Sequence, residues 1–272
     1  MLRSISKGLI ALFAYGVVVS FARMNTPGHD PAKIQVLILT GYNSTSFHHW
    51  RINDPALRDM LESTGRFEVH IDEEPRGATM DTFSGYDVLL LDYSDYTKSL
   101  GPTWPEVTRQ AYLTFLRNGG GVVAFHVTVG SFLEWPEFAK TLGILNREHI
   151  GHAPYHIFNV GFTDAGNPIT KDLPSPFDEW GEIYNGYTLT TDVRVLAAAF
   201  DNPDNCLPGR KNCGSGKSEP ILWTTTYGKG RVFVTTLGHD MNSISSPAFK
   251  ATLIRGTEWA ATWKVTDCPP CK

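Results

Sequence analysis

The most informative segment of the chain reads Gly119-Gly120-Gly121-Val122-Val123-Ala124-Phe125-His126. Its glycines end a run with helical periodicity, and the apolar residues after them predict a strand that ends at the histidine. Because unbroken apolar strands are typical of parallel sheets covered on both faces, the segment indicates an α/β protein. Ligands of open parallel sheets bind beyond the carboxyl ends of the strands, so His126 is a candidate site residue. A histidine hydrogen-bonded within a packed loop is the alternative interpretation.

The segments before and after it extend the alternation of strands and helices. Strands are predicted over residues 33–40, 66–72 and 87–92. Helices are predicted over residues 102–118 and 135–145. A further helix is predicted to begin at a cap formed by Asn53 or Asp54, with Pro55 in its first turn. Strands that alternate with helices pair in parallel through right-handed crossovers.

Strands dominate the pattern after Gly151. They are predicted over residues 154–163, 184–191 and 193–200. Gly228-Lys229-Gly230 lies between two further apolar runs, over residues 221–227 and 231–237, and predicts a hairpin. A closing helix is predicted over residues 246–263. We therefore predict one domain over residues 33–265, with a mostly parallel central sheet and an antiparallel extension in the second half.

Composition and charge bound the possible functions. The 272 residues are 42% hydrophobic and 19% charged, which is typical of a globular protein. The formal net charge is −4 and the sequence has no basic run. Because phosphate binding requires clustered Lys and Arg, we expect no nucleic-acid partner.

The first residues have the pattern of a targeting segment. Arg3 and Lys7 precede an apolar run that ends at Ser20-Phe21-Ala22, a small-x-small cleavage site. Residues 1–22 are therefore predicted to be a secretory signal peptide, with an uncleaved anchor as the alternative. The mature protein is expected to be secreted or periplasmic, without stable membrane insertion after cleavage.

Cysteine usage agrees with export. The chain has four cysteines, at Cys206, Cys213, Cys268 and Cys271. An even number in an oxidising compartment indicates disulfides, and three connectivities are possible. We favour the close pairs, Cys206–Cys213 and Cys268–Cys271, the second of which lies in a tail over residues 266–272. Zinc binding by the four thiolates is the alternative.

Several of the nine histidines follow predicted strands. The candidate metal ligands are His48, His126, His152 and His239. Three converging histidines, with or without a carboxylate, bind zinc or a similar divalent metal. The ligands would come from separate loops, and polar loop histidines without a metal remain the alternative. Acyl transfer is disfavoured, because the chain has no Gly-x-Ser-x-Gly elbow and no free cysteine after the strand that ends at His126.

A series of motifs carries a family resemblance. The motifs are Gly41-Tyr42-Asn43, His48-His49-Trp50, Trp104-Pro105-Glu106, residues 118–126, Trp135-Pro136-Glu137-Phe138, Gly151-His152-Ala153-Pro154-Tyr155-His156, Gly228-Lys229-Gly230-Arg231-Val232-Phe233, Leu237-Gly238-His239-Asp240 and residues 255–262. In this order they resemble the trehalose-utilisation (ThuA-like) domain family over about residues 33–265. The resemblance implies a flavodoxin-like, three-layer α/β sandwich related to class I glutamine amidotransferases. Those relatives carry a nucleophilic cysteine where this chain has His126, so amidotransferase activity is not expected. Family members often have His-Asp-Trp where this chain has His48-His49-Trp50, so His49 replaces the aspartate.

The resemblance also implies a role in sugar breakdown, in part through 3-keto intermediates. We expect an enzyme that acts on a 3-keto sugar or glycoside by histidine-assisted proton abstraction, isomerisation or elimination. The expected catalytic residues are His126, His48 and His239, with Asp240 as the orienting group. The expected contacts to a small carbohydrate are Trp50, His152, Tyr184, Trp135 and Asn43, although large aromatic side chains are more often part of the core. A non-catalytic carbohydrate-binding module and a metal-dependent hydrolase are the alternatives.

Overall fold

The computed structural model describes residues 30, 32–42, 48–95, 103–206 and 213–266. The predicted signal peptide, Asn43 and the Cys268–Cys271 pair lie outside these residues and stay predictions. Within these ranges, no helix combines the length and the apolar character that crossing a membrane requires.

The described residues form thirteen strands and six α-helices, with one 3₁₀ helix after the fourth strand. The strands are β1 (Ile34–Leu39), β2 (Phe67–Asp72), β3 (Val88–Leu91), β4 (Gly121–Phe125), β5 (Ile144–Asn146), β6 (Gly151–His152), β7 (His156–Phe162), β8 (Phe177–Gly181), β9 (Tyr184–Asn185), β10 (Thr188–Leu189), β11 (Arg194–Phe200), β12 (Ser218–Tyr227) and β13 (Gly230–Thr235). The helices are α1 (Trp50–Glu62), α2 (Met80–Phe83), α3 (Glu106–Arg117), α4 (Pro136–Thr141), α5 (Met241–Ile244) and α6 (Pro247–Thr262), and the 3₁₀ helix spans His126–Gly130.

Nine strands form the central sheet, in the order β2-β1-β3-β4-β13-β12-β11-β7-β8. The strands β2, β1, β3, β4 and β13 pair in parallel. From β13 onward the sheet is antiparallel, through the hairpin of β12 and β13 and then β11, β7 and β8. The predicted combination of a parallel centre with an antiparallel extension is therefore confirmed, and so is the predicted hairpin.

Helices cover both faces of the parallel strands. Alternate residues of β4 face opposite cores, as the two-residue period of a strand requires. Val122 and Ala124 pack in the core beneath α3 and α4, whereas Val123 and Phe125 pack in the core beneath α1 and α6. The predicted three-layer fold is confirmed, and it places the carboxyl ends of β1, β3, β4 and β13 along one edge.

Gly121 allows α6 to pack against the start of β4. A Cβ atom at this position would lie 2.4 Å from the carbonyl oxygen of Ala260. We expect Gly121→Ala to lower the free energy of unfolding by about 1–3 kcal/mol, because helix and strand would have to move apart. Urea unfolding followed by circular dichroism measures this loss. The matched control is Gly161→Ala, where nothing lies within 4 Å of the added Cβ; equal effects of the two substitutions would contradict the packing argument.

Three predicted element boundaries are wrong. Helix α1 begins at Trp50, three residues before Asn53. Asn53 and Asp54 are therefore buried inside the helix and do not cap it. The predicted helix over residues 135–145 ends at Thr141, because Gly143 takes a left-handed φ of 70° and leads into β5. The predicted strand over residues 184–191 is divided into β9 and β10 by Gly186, whose φ is 74°.

Two features of the second half bear on the site. Strand β8 has no counterpart in the predicted elements, and Glu182 follows it directly. The predicted Cys206–Cys213 disulfide is present, with an S–S distance of 2.02 Å. It closes a seven-residue separation in the loop between β11 and β12.

Candidate metal centre

His126 lies where β4 ends and the 3₁₀ helix begins. Its φ of 45° is in the left-handed region, which residues other than glycine adopt only uncommonly. The side chain is buried, with 1% of the residue exposed. Its Nδ1 lies 2.8 Å from the carbonyl oxygen of Thr236, and in the neutral ring Nδ1–H donates to that oxygen. The lone pair is then on Nε2, the atom that is free to bind a ligand.

Two other histidines converge on His126 from distant parts of the chain. His48 lies between β1 and α1, and His239 follows β13. The ring centroids of His48 and His126 are 5.0 Å apart, those of His48 and His239 are 5.1 Å apart, and those of His126 and His239 are 5.3 Å apart. Among the described residues, Nε2 of His48, Nε2 of His126 and Nδ1 of His239 are buried atoms without a hydrogen-bond partner. The Nε2 atoms of His48 and His126 are therefore free to bind a ligand or an ion.

Glu182 completes the group as its only carboxylate. One oxygen, Oε1, lies 3.5 Å from Nε2 of His239, and the other, Oε2, lies 4.0 Å from Nε2 of His126. We call His48, His126, Glu182 and His239 the histidine cluster; each offers a ligand atom, and these atoms all lie within 4.8 Å of one another. Glu182 is not among the predicted site residues, because a single glutamate between two short strands has no periodic pattern. The one sequence feature that points to Glu182 is its position two residues before Tyr184, a predicted sugar contact.

Burial sets the protonation of the cluster. Burial, and then the positive charges that His239 and His152 would carry, lower the pKa of His48 to about 3. Burial holds the pKa of His126 well below its ordinary value, and it also lowers the pKa of His239, which the charge of Asp240 partly offsets. Burial raises the pKa of Glu182, whereas His152 lowers it. All three imidazoles are therefore neutral at neutral pH, which is the form that binds metals.

The donor set fits a zinc-like divalent ion. Neutral imidazoles and a carboxylate are common zinc ligands, with bonds of about 2.0–2.2 Å. Donor atoms around a tetrahedral ion with such bonds are roughly 3.4 Å apart. The ligand atoms of the cluster all lie within 4.8 Å of one another, so shifts of about 1 Å would bring them to such separations. Three histidines and one carboxylate can therefore hold such an ion.

His152 and Tyr184 lie beside the cluster, where the antiparallel strands β6 and β9 pair them. Nδ1 of His152 is 3.3 Å from Oε1 of Glu182 and 3.0 Å from the carbonyl oxygen of Ala153. The side chain of His152 is 36% exposed, which makes it the most open histidine around Glu182. The ring of Tyr184 is buried and contacts the rings of His126 and His152. His152 was a predicted metal ligand, but the structure places it at the rim, outside the histidine cluster.

The predicted orienting residue, Asp240, has different partners. Its carboxylate accepts hydrogen bonds from the backbone N–H groups of Asn242 and Ser243, which caps α5. It also accepts a hydrogen bond from the hydroxyl of Tyr155, at 2.9 Å. The ring of Tyr155 contacts the ring of His239, with centroids 5.1 Å apart. Asp240 thus holds the loop that carries His239, and it acts on that ring through its charge.

The two tryptophans expected to contact sugar are buried. Trp135 is 6% exposed and packs among aromatic residues, including Tyr112, Phe132 and Phe138. Its position supports the alternative of a core residue, because large aromatic side chains dominate packed interiors. Trp50 is 3% exposed, and the guanidinium of Arg51 lies over its ring. His49 is exposed, so the departure from the family pattern falls outside the cluster.

A second buried group lies at the same edge of the sheet. Thr40 follows β1, Asp92 follows β3, and Asp54 of α1 lies against both of them. The two carboxyl groups are buried, with Asp54 at 0% and Asp92 at 1% exposure. Burial and the neighbouring charge of Asp92 raise the pKa of Asp54 to about 10. The pair therefore holds a proton at neutral pH.

Comparisons with known proteins agree with this architecture. The family model described as trehalose utilisation (ThuA) matches residues 35–260. The chain is 30% identical to a ThuA-like protein from Parabacteroides merdae ATCC 43184, with 86% of this chain and 92% of that chain covered and a TM-score of 0.73. A ThuA-like protein from Bacteroides uniformis ATCC 8492 is 20% identical, with 89% of this chain and 97% of that chain covered and a TM-score of 0.67.

More distant similarity concerns the fold alone. The β-galactosidase from Rahnella sp. R3 is 17% identical, with 84% of this chain but 32% of that chain covered and a TM-score of 0.52. No curated protein matches the chain. The match to the family model spans most of the sequence, and the Parabacteroides merdae relative supports it. The chain therefore belongs to the trehalose-utilisation (ThuA) family, which relates it to sugar metabolism.

Proposed function

We propose that the chain is a metal-dependent enzyme that removes the proton next to the carbonyl of an oxidised sugar, in isomerisation or elimination. The observation that carries the proposal is the convergence of His48, His126, His239 and Glu182 at the carboxyl edge of the sheet. The family relation to sugar metabolism supports the proposed substrate class, a 3-keto sugar or glycoside.

The histidine cluster is suited to holding a metal and poorly suited to accepting a proton. A general base is most effective when its pKa is near the working pH. The pKa of His48 is about 3 and that of His126 is well below its ordinary value, so neither ring takes up a proton readily. A divalent ion bound to the cluster would act as a Lewis acid that stabilises the enolate formed by proton removal. We therefore assign His48, His126, His239 and Glu182 to metal binding.

His152 is the residue best placed to serve as the base. In its neutral form, Nδ1–H donates to the carbonyl oxygen of Ala153 or to Glu182, which leaves the lone pair on Nε2. A carboxylate beside Nδ1 fixes the tautomer and stabilises the imidazolium that forms on protonation. The side chain of His152 is partly exposed, so a substrate can approach it. We assign to the hydroxyl of Tyr184, whose ring contacts both His126 and His152, the role of donating a hydrogen bond to the developing enolate oxygen.

The test is deuterium exchange catalysed by the zinc-loaded protein. We expect 3-keto-glucose and 3-keto-trehalose, incubated with the protein in D₂O, to gain deuterium beside the carbonyl faster than in buffer, as followed by NMR. Hydrolysis of 3-keto-trehalose without deuterium uptake would indicate the metal-dependent hydrolase instead. Binding without any chemical change would indicate the carbohydrate-binding module.

Glu182→Gln tests the contribution of the carboxylate to metal binding. The substitution keeps the size of the side chain and removes the charge that attracts a cation. We expect zinc affinity, measured by calorimetry, to fall by at least the roughly 10- to 100-fold that loss of an outer-shell partner costs. The control is Glu148→Gln, on an exposed glutamate. Equal zinc affinity in the two variants would remove Glu182 from the proposed metal site.

A further inference from the structure

The half-buried Tyr155 and the exposed Trp180 continue from the histidine cluster onto the surface. The ring of Tyr155 contacts His239 on one side and stacks on Trp180 on the other, with Tyr155 and Trp180 centroids 6.1 Å apart and planes inclined by 25°. Trp180 is 47% exposed, whereas Trp50, Trp104, Trp135 and Trp223 are buried. An open tryptophan beside a buried polar site is typical of a ligand-binding surface.

The surroundings of Trp180 combine apolar and polar groups. Strands β7 and β8 pair Ile157 with Trp180 and Asn159 with Asp178, so these four side chains share one face of the sheet. Ile157 is 50% exposed. Nδ2 of Asn159 donates a hydrogen bond to Asp178 at 3.1 Å. A flat aromatic ring flanked by an amide and a carboxylate matches a pyranose, which has apolar C–H faces and a rim of hydroxyl groups.

We infer that Trp180 and Tyr155 form a second sugar subsite, which binds the ring next to the one that reacts at the histidine cluster. The inference rests on the proposed function and makes its substrate a disaccharide or glycoside. Tyr155 fixes the distance between the two positions, because its ring touches His239 and its hydroxyl is held by Asp240. Asn242, whose amide lies 3.3 Å from Oδ2 of Asp240, is exposed at the same place and can bond to sugar hydroxyls.

The test uses the full chain labelled with 5-fluorotryptophan and observed by fluorine NMR, with trehalose and glucose as probes. Trp180→Phe assigns the Trp180 resonance. We expect trehalose to shift this resonance and to leave that of Trp263 unchanged. Trp263 is the matched control, since it is 53% exposed and lies at the end of α6.

The affinity for trehalose is expected to fall about 10-fold in Trp180→Ala, the order of one lost aromatic contact, and to be largely retained in Trp180→Phe. The affinity for glucose is expected to be the same in all three proteins. A Trp180 resonance that trehalose leaves unmoved would overturn the subsite. A resonance that moves with protein concentration would also overturn it, because a second copy would then cover this face.

The subsite and the proposed reaction can fail separately. His126→Asn removes a proposed metal ligand but leaves Tyr155 and Trp180 in place, so trehalose is expected to shift the Trp180 resonance in this variant as well. Deuterium exchange without a trehalose-induced shift would refute the subsite alone. A shift without deuterium exchange would refute the proposed reaction and leave the subsite standing.

Discussion

Replacing His126 by asparagine is expected to weaken zinc binding and to lower turnover sharply while the protein stays folded. Asparagine is one of the few residues that adopt a left-handed backbone readily, so it tolerates the φ of 45° at this position. Its side-chain amide can also donate to the carbonyl oxygen of Thr236, which Nδ1 of His126 contacts in the native protein. The substitution therefore removes mainly Nε2, the buried nitrogen that has no hydrogen-bond partner in the described structure.

The expected losses of zinc affinity and turnover are large because the site contains few ligands. The cluster contains three histidines and one carboxylate, so losing one leaves three donors. We expect turnover to fall by at least about 10²-fold, as it does when a single stabilising group is lost from an active site. Zinc content by mass spectrometry and the rate of deuterium exchange are the two measurements.

His70→Asn is the control for His126→Asn. His70 is exposed on β2, at the end of the sheet, so this variant is expected to match the native protein in both measurements. A His126→Asn protein that retains native zinc content would contradict the metal assignment. One that loses zinc but keeps its rate of exchange would show that the reaction does not use the metal.

The parallel half of the fold is predictable because local patterns there agree with the tertiary structure. The strand before His126 is apolar at every position, since β4 is covered on both faces. Gly119 ends the preceding helix with a left-handed φ of 106°, as a glycine after a helix commonly does. The place of His126 at the carboxyl edge is predictable as well, because that edge follows from the direction of the strands.

The remaining site residues depend on long-range contacts that no local pattern encodes. Glu182 reaches the cluster because it follows β8, the last strand of the antiparallel extension. The periodicity of the sequence did not predict β8. Aspartate is common at helix N-caps, yet Asp54 lies inside α1, where its partners are Thr40 and Asp92. Trp135 carries the same side chain as Trp180, and only the packing of its neighbours decides that Trp135 is buried and Trp180 is open.

Asp54→Asn is expected to stabilise the protein, and the gain is expected to grow as the pH rises. The pKa of Asp54 is about 10 in the folded protein, against an ordinary value of 3.8. Between these two pH values the folded chain holds a proton that the unfolded chain has released, so the free energy of unfolding falls as the pH rises. The slope is about 1.4 kcal/mol per pH unit for one such proton. Asparagine resembles the protonated carboxyl in shape and can donate to Asp92, so it needs no proton.

Chemical unfolding of the native and Asp54→Asn proteins at several pH values between 6 and 9 measures the effect. The difference in unfolding free energy is the quantity to follow, because groups outside the pair of Asp54 and Asp92 are expected to titrate equally in both proteins. For Asp92→Asn, we expect the gain in unfolding free energy to depend on pH in the same way. The two carboxyl groups share one proton, and removing either charge releases the other from repulsion. Asp59→Asn, on an exposed aspartate of the same helix, is the control and is expected to leave the slope unchanged. A constant difference across this pH range would mean that Asp54 is ionised in the folded protein. Asp54 and Asp92 would then share no proton at the carboxyl edge of β1 and β3.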